Sequence, residues 1–308
     1  MENIFAVDIG GTAVKYALVT PDFKVTEHGE FPTPHTDADT LINAILEAAA
    51  PFAGQFDGVG VSLPGTVMDD PEGTIKRGGA LPFMNDVPLA WRLREQLHVP
   101  CAVENDGKAG VLGEYASGAL KGCRSGVVMV LGTGIGGGIL IDGKVWKGGH
   151  FFAGEFSFIS DESSVPFGMD SMFAGKAGVS GLLREVVKAK GLPEDTQLSG
   201  REIFRMANDG DEAVIAGIRA YAAIVARQVY NLQVILDPEI IAIGGGISAQ
   251  PLLHRLIREE VDKFYSAFDR LDIFPPPKAR VVPALNGNDA NLIGAAFRCF
   301  ELVRDELN

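Results

Sequence analysis

The stretch IFAVDIGGTAVKYALVT, residues 4–20, places two apolar runs on either side of a glycine pair. Both runs are rich in β-branched and aromatic residues, which favours strands, and the short connection between them predicts a tight turn. A third run, DFKVTEHGEF at 22–31, follows after another short connection. The chain is therefore predicted to open with an antiparallel meander of three strands.

The same pattern restarts near the middle of the chain, at GVVMVLGTGIGGGILI, residues 126–141. In both halves the meander is followed by a predicted helix, strand, helix, strand and helix. An insertion at about 146–205 interrupts the second half, and we expect it to be irregular. The predicted elements after the two meanders are 39–50, 57–63, 88–97, 100–104 and 106–116 in the first half, and 211–235, 239–245, 251–264, 279–285 and 289–303 in the second.

This repetition predicts an α/β protein of two similar domains, each a mixed five-stranded sheet with flanking helices. Two such domains facing each other would leave a cleft, which is a preferred place for a ligand. We expect a small N-terminal domain at 1–116 plus about 290–308, which carries the first glycine turn. The larger C-terminal domain is expected at 117–289.

Composition limits the classes of function. The formal net charge of −13 provides no basic field for a nucleic-acid backbone, so no nucleic-acid partner is expected. The start, MENIFAVDIGG, lacks a basic n-region, and no apolar run reaches the roughly 18 residues of a membrane span. Cys101, Cys123 and Cys299 lack CxxC spacing, which favours reduced thiols in a core. We therefore expect a cytoplasmic protein without a membrane partner.

Three glycine-rich loops are the sharpest local signals: DIGGT at 8–12, LGTGIGGG at 131–138 and IGGGIS at 243–248. The second contains a formal G-x-G-x-x-G, but a dinucleotide fingerprint needs a helix after the loop and here both flanks are strands. A glycine turn between strands instead exposes successive backbone N–H groups, which can bind an anion. The alternative is that these glycines only make hairpin turns.

The first two loops lie at corresponding places in the two halves, and each carries a threonine, Thr12 or Thr133. This correspondence favours two loops that bind one polyphosphate. The third loop leads from a strand into a helix, and its glycines allow close approach of adenine or ribose.

Asp8 ends the first strand beside the first glycine turn. A carboxylate there can hold Mg²⁺ through water, because Mg²⁺ keeps several waters and takes few protein ligands beside phosphates. The alternative is an aspartate that caps the turn. Lys15 is interpreted as a structural ion-pair partner, since no GK[ST] phosphate loop surrounds it.

The segment CAVENDGKAGVLGEY places Asn105 and Asp106 where a strand gives way to a helix. N-capping explains one of these two polar residues, because Asn and Asp are preferred caps. The functional alternative is that Asp106 accepts a proton from a substrate hydroxyl while Asn105 holds a neighbouring hydroxyl. Phosphoryl transfer needs mostly positioning and charge neutralisation, which such a pair can supply.

In chain order, DIGGTAVK, SLPG, END, LGTGIGGG, AGE, IGGGIS and GNDANLIGAA resemble the ROK family of sugar kinases, within the actin-like (ribonuclease H-like) and hexokinase superfamily. The resemblance covers residues 5–296. It implies ATP, Mg²⁺, two actin-like domains and transfer of the γ-phosphoryl group to a sugar hydroxyl, usually O6. It also implies a homodimer or homotetramer.

Residue by residue, the resemblance implies that Asp106 is the general base and that Asn105 and Glu155 bind sugar hydroxyls. Gly65 and the GGAL stretch at 78–81 fall near the sugar-side loops of the family. The implied substrate contacts there are Gly65, Gly79 and Ala80, and the implied phosphate contacts are Gly10, Gly11, Thr12, Gly132, Thr133, Gly134, Gly136 and Gly137. Independently of the resemblance, the third glycine loop adds Gly244, Gly245 and Gly246 as candidate ATP contacts, and Asp8 is the candidate metal residue.

Two departures from the family pattern concern zinc and the substrate. Family members commonly carry GExGH followed by a cysteine-rich zinc loop, whereas this chain reads GEFSF, with Phe158 at the histidine position. The following SDESSVPFGMDSMFAG has no cysteine, so no structural zinc is expected. The loss of the histidine argues against strict recognition of free glucose. An apolar Phe158 can border an aglycone, and the segment is similar to the zinc-less β-glucoside kinases of the family.

Alternatives to a hexose or β-glucoside kinase are a glucokinase, an N-acetylmannosamine kinase, a ROK-type sugar-sensing regulator and a catalytically idle sugar-binding protein. The regulators carry an added N-terminal helix-turn-helix, and this acidic chain is expected to lack one. The presence of Asp8, Asp106 and both glycine turns disfavours an idle protein.

Overall fold

The computed structural model describes residues 3–160 and 164–306. Its strands are β1 (Ile4–Ile9), β2 (Ala13–Val19), β3 (Val25–Pro32), β4 (Gly58–Leu63), β5 (Thr66–Val67), β6 (Thr74–Arg77), β7 (Val87–Pro88), β8 (Cys101–Asn105), β9 (Gly126–Leu131), β10 (Ile135–Ile141), β11 (Lys144–Val145), β12 (Ile240–Gly244) and β13 (Val281–Pro283). Its helices are α1 (Ala38–Ala49), α2 (Leu89–Leu97), α3 (Asp106–Ala116), α4 (Phe173–Ala177), α5 (Val179–Lys190), α6 (Gly200–Asn208), α7 (Glu212–Leu236), α8 (Pro251–Leu271) and α9 (Ala290–Glu306).

Two five-stranded sheets repeat one topology. The first has the strand order β3-β2-β1-β4-β8 and the second the order β11-β10-β9-β12-β13. Strands β1, β2 and β3 pair antiparallel, as do β10 and β11, whereas β1, β4 and β8 pair parallel, as do β9, β12 and β13. The prediction of an α/β protein with two mixed five-stranded sheets and flanking helices is therefore confirmed.

The chain forms two compact units. Unit 1 consists of Met1–Gly122, Gly138–Gly154 and Asn286–Asn308, and unit 2 of Cys123–Gly137 and Glu155–Leu285. This division assigns the hairpin segment 138–154 to unit 1, whereas the sequence placed it in the larger domain. The predicted domain limits at 116/117 and about 289/290 stay a prediction.

The first sheet of unit 1 is covered on both faces, and the side-chain alternation of β1 shows how. Phe5, Val7 and Ile9 are buried in a core with α1 and α2, whereas Ile4 and Ala6 are buried against α9. Because successive side chains of a strand point to opposite faces, Asp8 belongs to the α9 face. In β8, Ala102 belongs to that face as well, and therefore so does the Glu104 side chain. (The two acids thus face one helix.)

Close backbone approach fixes α3 and β4 against α9. A Cβ at Gly113 would collide with the Ala290 carbonyl, and one at Gly294 would collide with the Ala109 carbonyl. A Cβ at Gly60 of β4 would likewise meet the carbonyl group of Ala295. Glycine permits such close helix packing, so these positions set the placement of α3, whose first residue is Asp106.

The insertion at about 146–205 was predicted to be irregular, and this was wrong. It contains α4 and α5, and α6 begins within it. The start of α6 could have been predicted from the sequence, because Ser199 and Glu202 form a capping box there. Two limits also shift: α8 continues seven residues beyond the predicted end at 264, and β13 is limited to Val281–Pro283.

The structure also bears on the membrane and on the thiols. Among residues 3–160 and 164–306, no helix is long and apolar enough to cross a membrane.

Cys101, Cys123 and Cys299 are all buried thiols, as predicted. Burial raises the pKa of Cys101 to about 12, so this thiol is unreactive at neutral pH.

Candidate active site

The junction of β8 and α3 holds the predicted acceptor residues. Asn105 is the last residue of β8 and is buried, and Asp106 is the first residue of α3. The Asp106 Oδ1 atom accepts hydrogen bonds from the Asn105 Nδ2 atom at 2.9 Å and from the backbone N–H of Gly107 at 2.8 Å. These two donors orient the carboxylate at the positive end of the α3 dipole.

Asn105 is the N-cap of α3, since its Oδ1 accepts the backbone N–H of Lys108 at 3.2 Å. Its Nδ2 also donates to the carbonyl of Gly65 at 2.8 Å. The capping alternative is therefore correct for Asn105. The cap holds the neighbouring Asp106 in place, so Asn105 has a structural role at the start of α3 beside its predicted role in sugar binding. Its predicted contact with a sugar hydroxyl stays a prediction.

The predicted sugar-side loops converge on Asn105. Gly65 has a φ of 106° and Gly79 a φ of 59°, backbone conformations that favour glycine. A Cβ at Gly79 would lie 3.2 Å from the Gly65 Cα, so the two loops are in contact. Gly79 and Ala80 are exposed. Unit 1 thus brings Gly65, Gly79, Asn105 and Asp106 together.

Asp8 lies in the middle of a polar row across the first sheet. Its strand neighbours are Lys15 of β2 and Ser62 of β4. Its Oδ1 accepts hydrogen bonds from Ser62 Oγ at 2.9 Å and from Asn291 Nδ2 of α9 at 3.1 Å. Burial raises the pKa of Asp8, whereas the hydrogen bonds from Asn291 and Ser62 and the charge of Lys15 oppose the rise.

The residues around Asp8 fit a hydrated magnesium ion. Both hydrogen bonds go to Oδ1, and a half-buried carboxylate whose ionised form is disfavoured by burial gains from a nearby cation. Mg²⁺ commonly takes only one or two carboxylates beside substrate phosphates, so a single aspartate is sufficient. Lys15 lies beside Asp8 in the strand register, and its predicted role as an ion-pair partner stays a prediction.

The first glycine turn, residues 10–12, is held by its neighbours and presents its tip to solvent. The N–H of Gly10 donates to the Ala13 carbonyl at 3.0 Å, and Thr33 Oγ1 donates to the Gly10 carbonyl at 2.7 Å. Gly11 and Thr12 are exposed. A Cβ at Gly11 would lie 4.0 Å from the Ala80 Cβ, which connects this turn to the sugar-side loop within unit 1.

The second glycine turn, residues 132–136, belongs to unit 2. The N–H of Gly132 donates to the Gly134 carbonyl at 3.0 Å, and Thr133, Gly134 and Gly136 are exposed. Gly137 is buried, and a Cβ there would meet the Phe156 ring and the Val128 carbonyl. Gly137 therefore serves packing in this structure, and the exposed positions are the ones available to an anion.

Glu155 precedes a short 3₁₀ helix, Phe156–Phe158, and is partly buried. The next residue but one, Ser157, ties this segment to the second glycine turn. Its Oγ accepts the Ile135 N–H at 2.9 Å and donates to the Ile135 carbonyl at 3.0 Å. Phe158 is 53% exposed.

The third glycine loop follows β12 in unit 2. Gly244 is buried, Gly245 has a φ of 97° and Gly246 is exposed. A Cβ at Gly245 would collide with the backbone of Leu131, the residue before the second turn, so the two loops of unit 2 adjoin. Ser248 Oγ donates to the Gly245 carbonyl at 2.8 Å and fixes the loop.

The segment that replaces the family's zinc loop includes residues 161–163, which lie outside the described residues. Within the described ranges, no group of three or more His, Cys, Asp or Glu side chains could hold a metal ion. The expected absence of structural zinc stays a prediction, and it rests on the sequence.

The candidate-site residues that the sequence reasoning missed are mainly hydrogen-bond partners of predicted ones. Ser62 and Asn291 hold Asp8, and Ser157 holds the second glycine turn. Asn291 lies inside the GNDAN motif that the sequence singled out without a role. The alternation that places Asp8 on the α9 face could have indicated that an α9 side chain reaches it.

Comparison with known proteins decides the family. The sequence profile of the ROK family matches residues 4–300. This chain belongs to the ROK family. The match includes both glycine turns, the β8–α3 junction and the loop after β12. Solved ROK structures share the fold, so the two sheets are those of the actin-like and hexokinase superfamily.

Three relatives bear on the chemistry. The chain is 30% identical to the β-glucoside kinase of Klebsiella pneumoniae, over 98% of this chain and 97% of that one. It is 31% identical to the N-acetylmannosamine kinase of Vibrio cholerae, over 95% and 98%. The structure of a ROK family glucokinase from Streptomyces griseus in complex with glucose and AMPPNP superposes with a TM-score of 0.75, at 27% identity and coverage of 98% and 99%. These three relatives act on different sugars, so overall identity does not select the sugar.

Proposed function

We propose that this protein is an ATP-dependent sugar kinase that transfers the γ-phosphoryl group to a hexose or β-glucoside hydroxyl, with O6 as the expected acceptor. The observation that carries the proposal is the β8–α3 junction. There Asp106 is oriented by Asn105 and by the Gly107 N–H beside the sugar-side loops. Membership of the ROK family and the names of the relatives support the same class of reaction.

Asp106 is proposed as the general base. Its carboxylate would accept the proton of the attacking hydroxyl while the hydrogen bonds from Asn105 and Gly107 keep it in line. Asn105, Gly65, Gly79, Ala80 and Glu155 are proposed to bind the remaining hydroxyls or border the sugar. Positioning is the main requirement of phosphoryl transfer, so preformed contacts of this kind supply much of the catalysis.

The nucleotide is proposed to be bound by backbone N–H groups of the glycine turns that the sequence singled out. The proposed contacts are Gly10, Gly11, Thr12, Gly132, Thr133, Gly134, Gly136 and Gly137 for phosphates and Gly244, Gly245 and Gly246 for the adenosine moiety. Asp8 would hold Mg²⁺ through water, and the ion would neutralise phosphate charge. Of this set, Gly137 is buried under Phe156, so its contribution would be to turn shape.

The acceptor is proposed to be a β-glucoside in preference to free glucose. Phe158 stands at the family's histidine position, and the residue is 53% exposed. An exposed ring can pack on an aglycone or a second sugar ring, and burial of its apolar area would contribute to binding. The comparable identity to an N-acetylmannosamine kinase keeps that substrate as the second candidate.

A coupled ADP-release assay tests the proposal across glucose, mannose, N-acetylmannosamine, cellobiose and aryl β-glucosides. We expect the highest kcat/KM with a β-glucoside. Preference for glucose or N-acetylmannosamine would overturn the substrate class and leave the kinase intact. No stimulation of ATP turnover by these or other sugars would overturn the kinase itself. A homodimeric or homotetrameric assembly and a cytoplasmic location stay predictions.

A further inference from the structure

Glu104 is a buried acid beside the acceptor residues, and the proposed reaction gives it no role. Its exposed fraction is 1%, and it continues the polar row of Asp8 and Ser62 on the α9 face. A buried carboxylate is costly unless a cation and hydrogen bonds compensate for the lost water. Such a residue is therefore expected to have a specific partner and a specific task.

Glu104 belongs to a ring of charged side chains whose signs alternate. Lys147 Nζ lies 2.8 Å from Glu104 Oε2, and Arg298 Nε lies 3.8 Å from the same oxygen. Asp69 Oδ1 closes the ring at 3.2 Å from Lys147 Nζ and 3.1 Å from an Arg298 guanidinium nitrogen. The Lys147 contact is an ion pair without hydrogen-bond geometry, since Glu104 Oε2 has no hydrogen-bond donor. Lys147 is the nearer and less exposed of the two cations.

Glu104 reaches the acceptor residues through its other oxygen. Its Oε1 accepts the backbone N–H of Asn105 at 3.0 Å. The Asn105 side chain in turn donates to Asp106 Oδ1 and to the Gly65 carbonyl, and it caps α3 at the Lys108 N–H. A chain of contacts therefore leads from Lys147 through Glu104 and Asn105 to the Asp106 carboxylate.

We infer that the Glu104–Lys147 ion pair is a positioning element, which fixes the Asn105 backbone and thereby aims the Asp106 carboxylate at the acceptor hydroxyl. The inference rests on the proposed kinase function, because it assigns a task within that reaction. A displacement of about 1 Å at a reacting group can cost on the order of a hundredfold in rate, so a contact two residues away from the substrate can control turnover.

The location of Lys147 makes the pair accessible to experiment. Lys147 and Glu104 line an open cavity of about 540 Å³ in unit 1, together with Trp146, Phe151 and Lys144. Lys144 carries the same charge on the same wall and is exposed. The cavity is large enough to admit a small alkylammonium ion in place of a truncated lysine. Lys144→Ala is the matched control for the removal of one positive charge.

The first experiment compares the kinetics of Lys147→Ala, Lys147→Arg and Lys144→Ala with the preferred sugar. For Lys147→Ala we expect kcat to fall by about tenfold or more while the KM values change much less, because the reacting group is misaligned. Lys147→Arg should recover much of the rate, and ethylammonium should restore turnover of Lys147→Ala. A normal kcat in Lys147→Ala, or an equal loss in Lys144→Ala, would overturn the inference.

A second measurement separates this inference from the kinase proposal. Amide hydrogen exchange of the segment 104–108 reports the Asn105 N–H and the cap of α3 without any turnover. Lys147→Ala should lose protection there while Lys144→Ala keeps it. If the wild type phosphorylates no sugar, the kinase proposal fails, and this comparison still decides the ion pair's effect on the junction. Unchanged protection in Lys147→Ala would refute the positioning role in either case.

Discussion

The Asp106 carboxylate is the side chain on which the proposed chemistry depends most directly. Asp106→Asn keeps the size of the group and an oxygen that can accept the Gly107 N–H, but removes its capacity to take a proton. We expect kcat to fall by about 10²–10⁴-fold, the usual contribution of a general base. Sugar affinity, measured by titration calorimetry, should change little, because the neighbouring loops are untouched.

The control for Asp106→Asn is a variant that removes an exposed acid outside the site, such as Asp86→Asn on unit 1. Its turnover should match the wild type. A near-normal rate in Asp106→Asn would remove Asp106 as the base and leave positioning as its only contribution.

The burial of Asp8, the proposed metal residue, is expected to lower the free energy of unfolding at neutral pH. Burial raises its pKa above 3.8, so between 3.8 and the folded-state pKa the native protein binds more protons than the unfolded chain. Its contribution to the free energy of unfolding therefore decreases as pH rises through that window. Without nucleotide or Mg²⁺, Asp8→Asn should be more stable than wild type at neutral pH. This gain in the free energy of unfolding, measured by urea denaturation, should disappear as the pH is lowered towards 3.8.

Asp22→Asn controls for the general effect of removing one negative charge from an acidic protein. The hydrogen bonds of Asp22 with Lys24 and Thr20 lower its pKa, so its ionised form is favoured in the folded state. Asp22→Asn should therefore bring no gain in stability at neutral pH. An equal gain in both variants would point to net charge instead of burial at Asp8.

At the scale of elements, the close contact of α3 and α9 places Asp106. In Gly294→Ala the new Cβ would collide with the Ala109 carbonyl and separate the helices. We expect the free energy of unfolding to fall by about 1–3 kcal/mol, as in overpacked cores. The helix propensity of alanine acts in the opposite direction by about 1 kcal/mol. Urea denaturation measures whether the net change in the free energy of unfolding is a loss or a gain. We also expect kcat to fall, because α3 shifts. A stabilised Gly294→Ala would contradict this account of the helix contact.

The sequence predicted the regular elements well where local pattern and burial agree. The meanders, α1, α2, α3 and α7 lie within a few residues of their predicted ranges, because alternation and amphipathic spacing are local signals. The helices α4, α5 and α6 were missed in a segment read as irregular, although Ser199 and Glu202 carried a capping signal for α6. The two-residue strands β5 and β7 have no periodicity to detect.

The candidate site was predictable for the same reason and to the same extent. Asn105, Asp106 and the glycine turns stand at the ends of recognisable strands, where polar and glycine residues are conspicuous. Their supporting contacts come from distant parts of the chain. Asn291 is 283 positions from Asp8, and Lys147 reaches Glu104 from a separate hairpin. Pairings of this kind depend on sheet register and helix placement, which local pattern does not specify.

At the scale of the molecule, one topology serves different tasks in its two copies. Strand β4 corresponds to β12, and the glycine that follows each strand has a positive φ, 106° at Gly65 and 97° at Gly245. The turns after β1 and β9 correspond in the same way, as the sequence predicted. The last strands diverge, because β8 ends in Asn105 and leads to the acid Asp106, whereas β13 ends in Val282 and Pro283. Under the proposed function, the repeated turns bind phosphate and the unmatched acid performs the chemistry.

Removal of metal tests the whole arrangement, since the proposal requires Mg²⁺ with ATP and expects no zinc. Dialysis against EDTA should abolish turnover, and Mg²⁺ alone should restore it, because the single carboxylate of Asp8 suits a hydrated magnesium ion. The thermal midpoint of the protein without nucleotide should stay the same after EDTA, since a structural zinc would contribute directly to folding stability. Stoichiometric zinc in elemental analysis, or a lower midpoint that only zinc reverses, would contradict the interpretation of the segment after Glu155. A requirement for zinc in turnover would count against Asp8 and Mg²⁺ as the metal site.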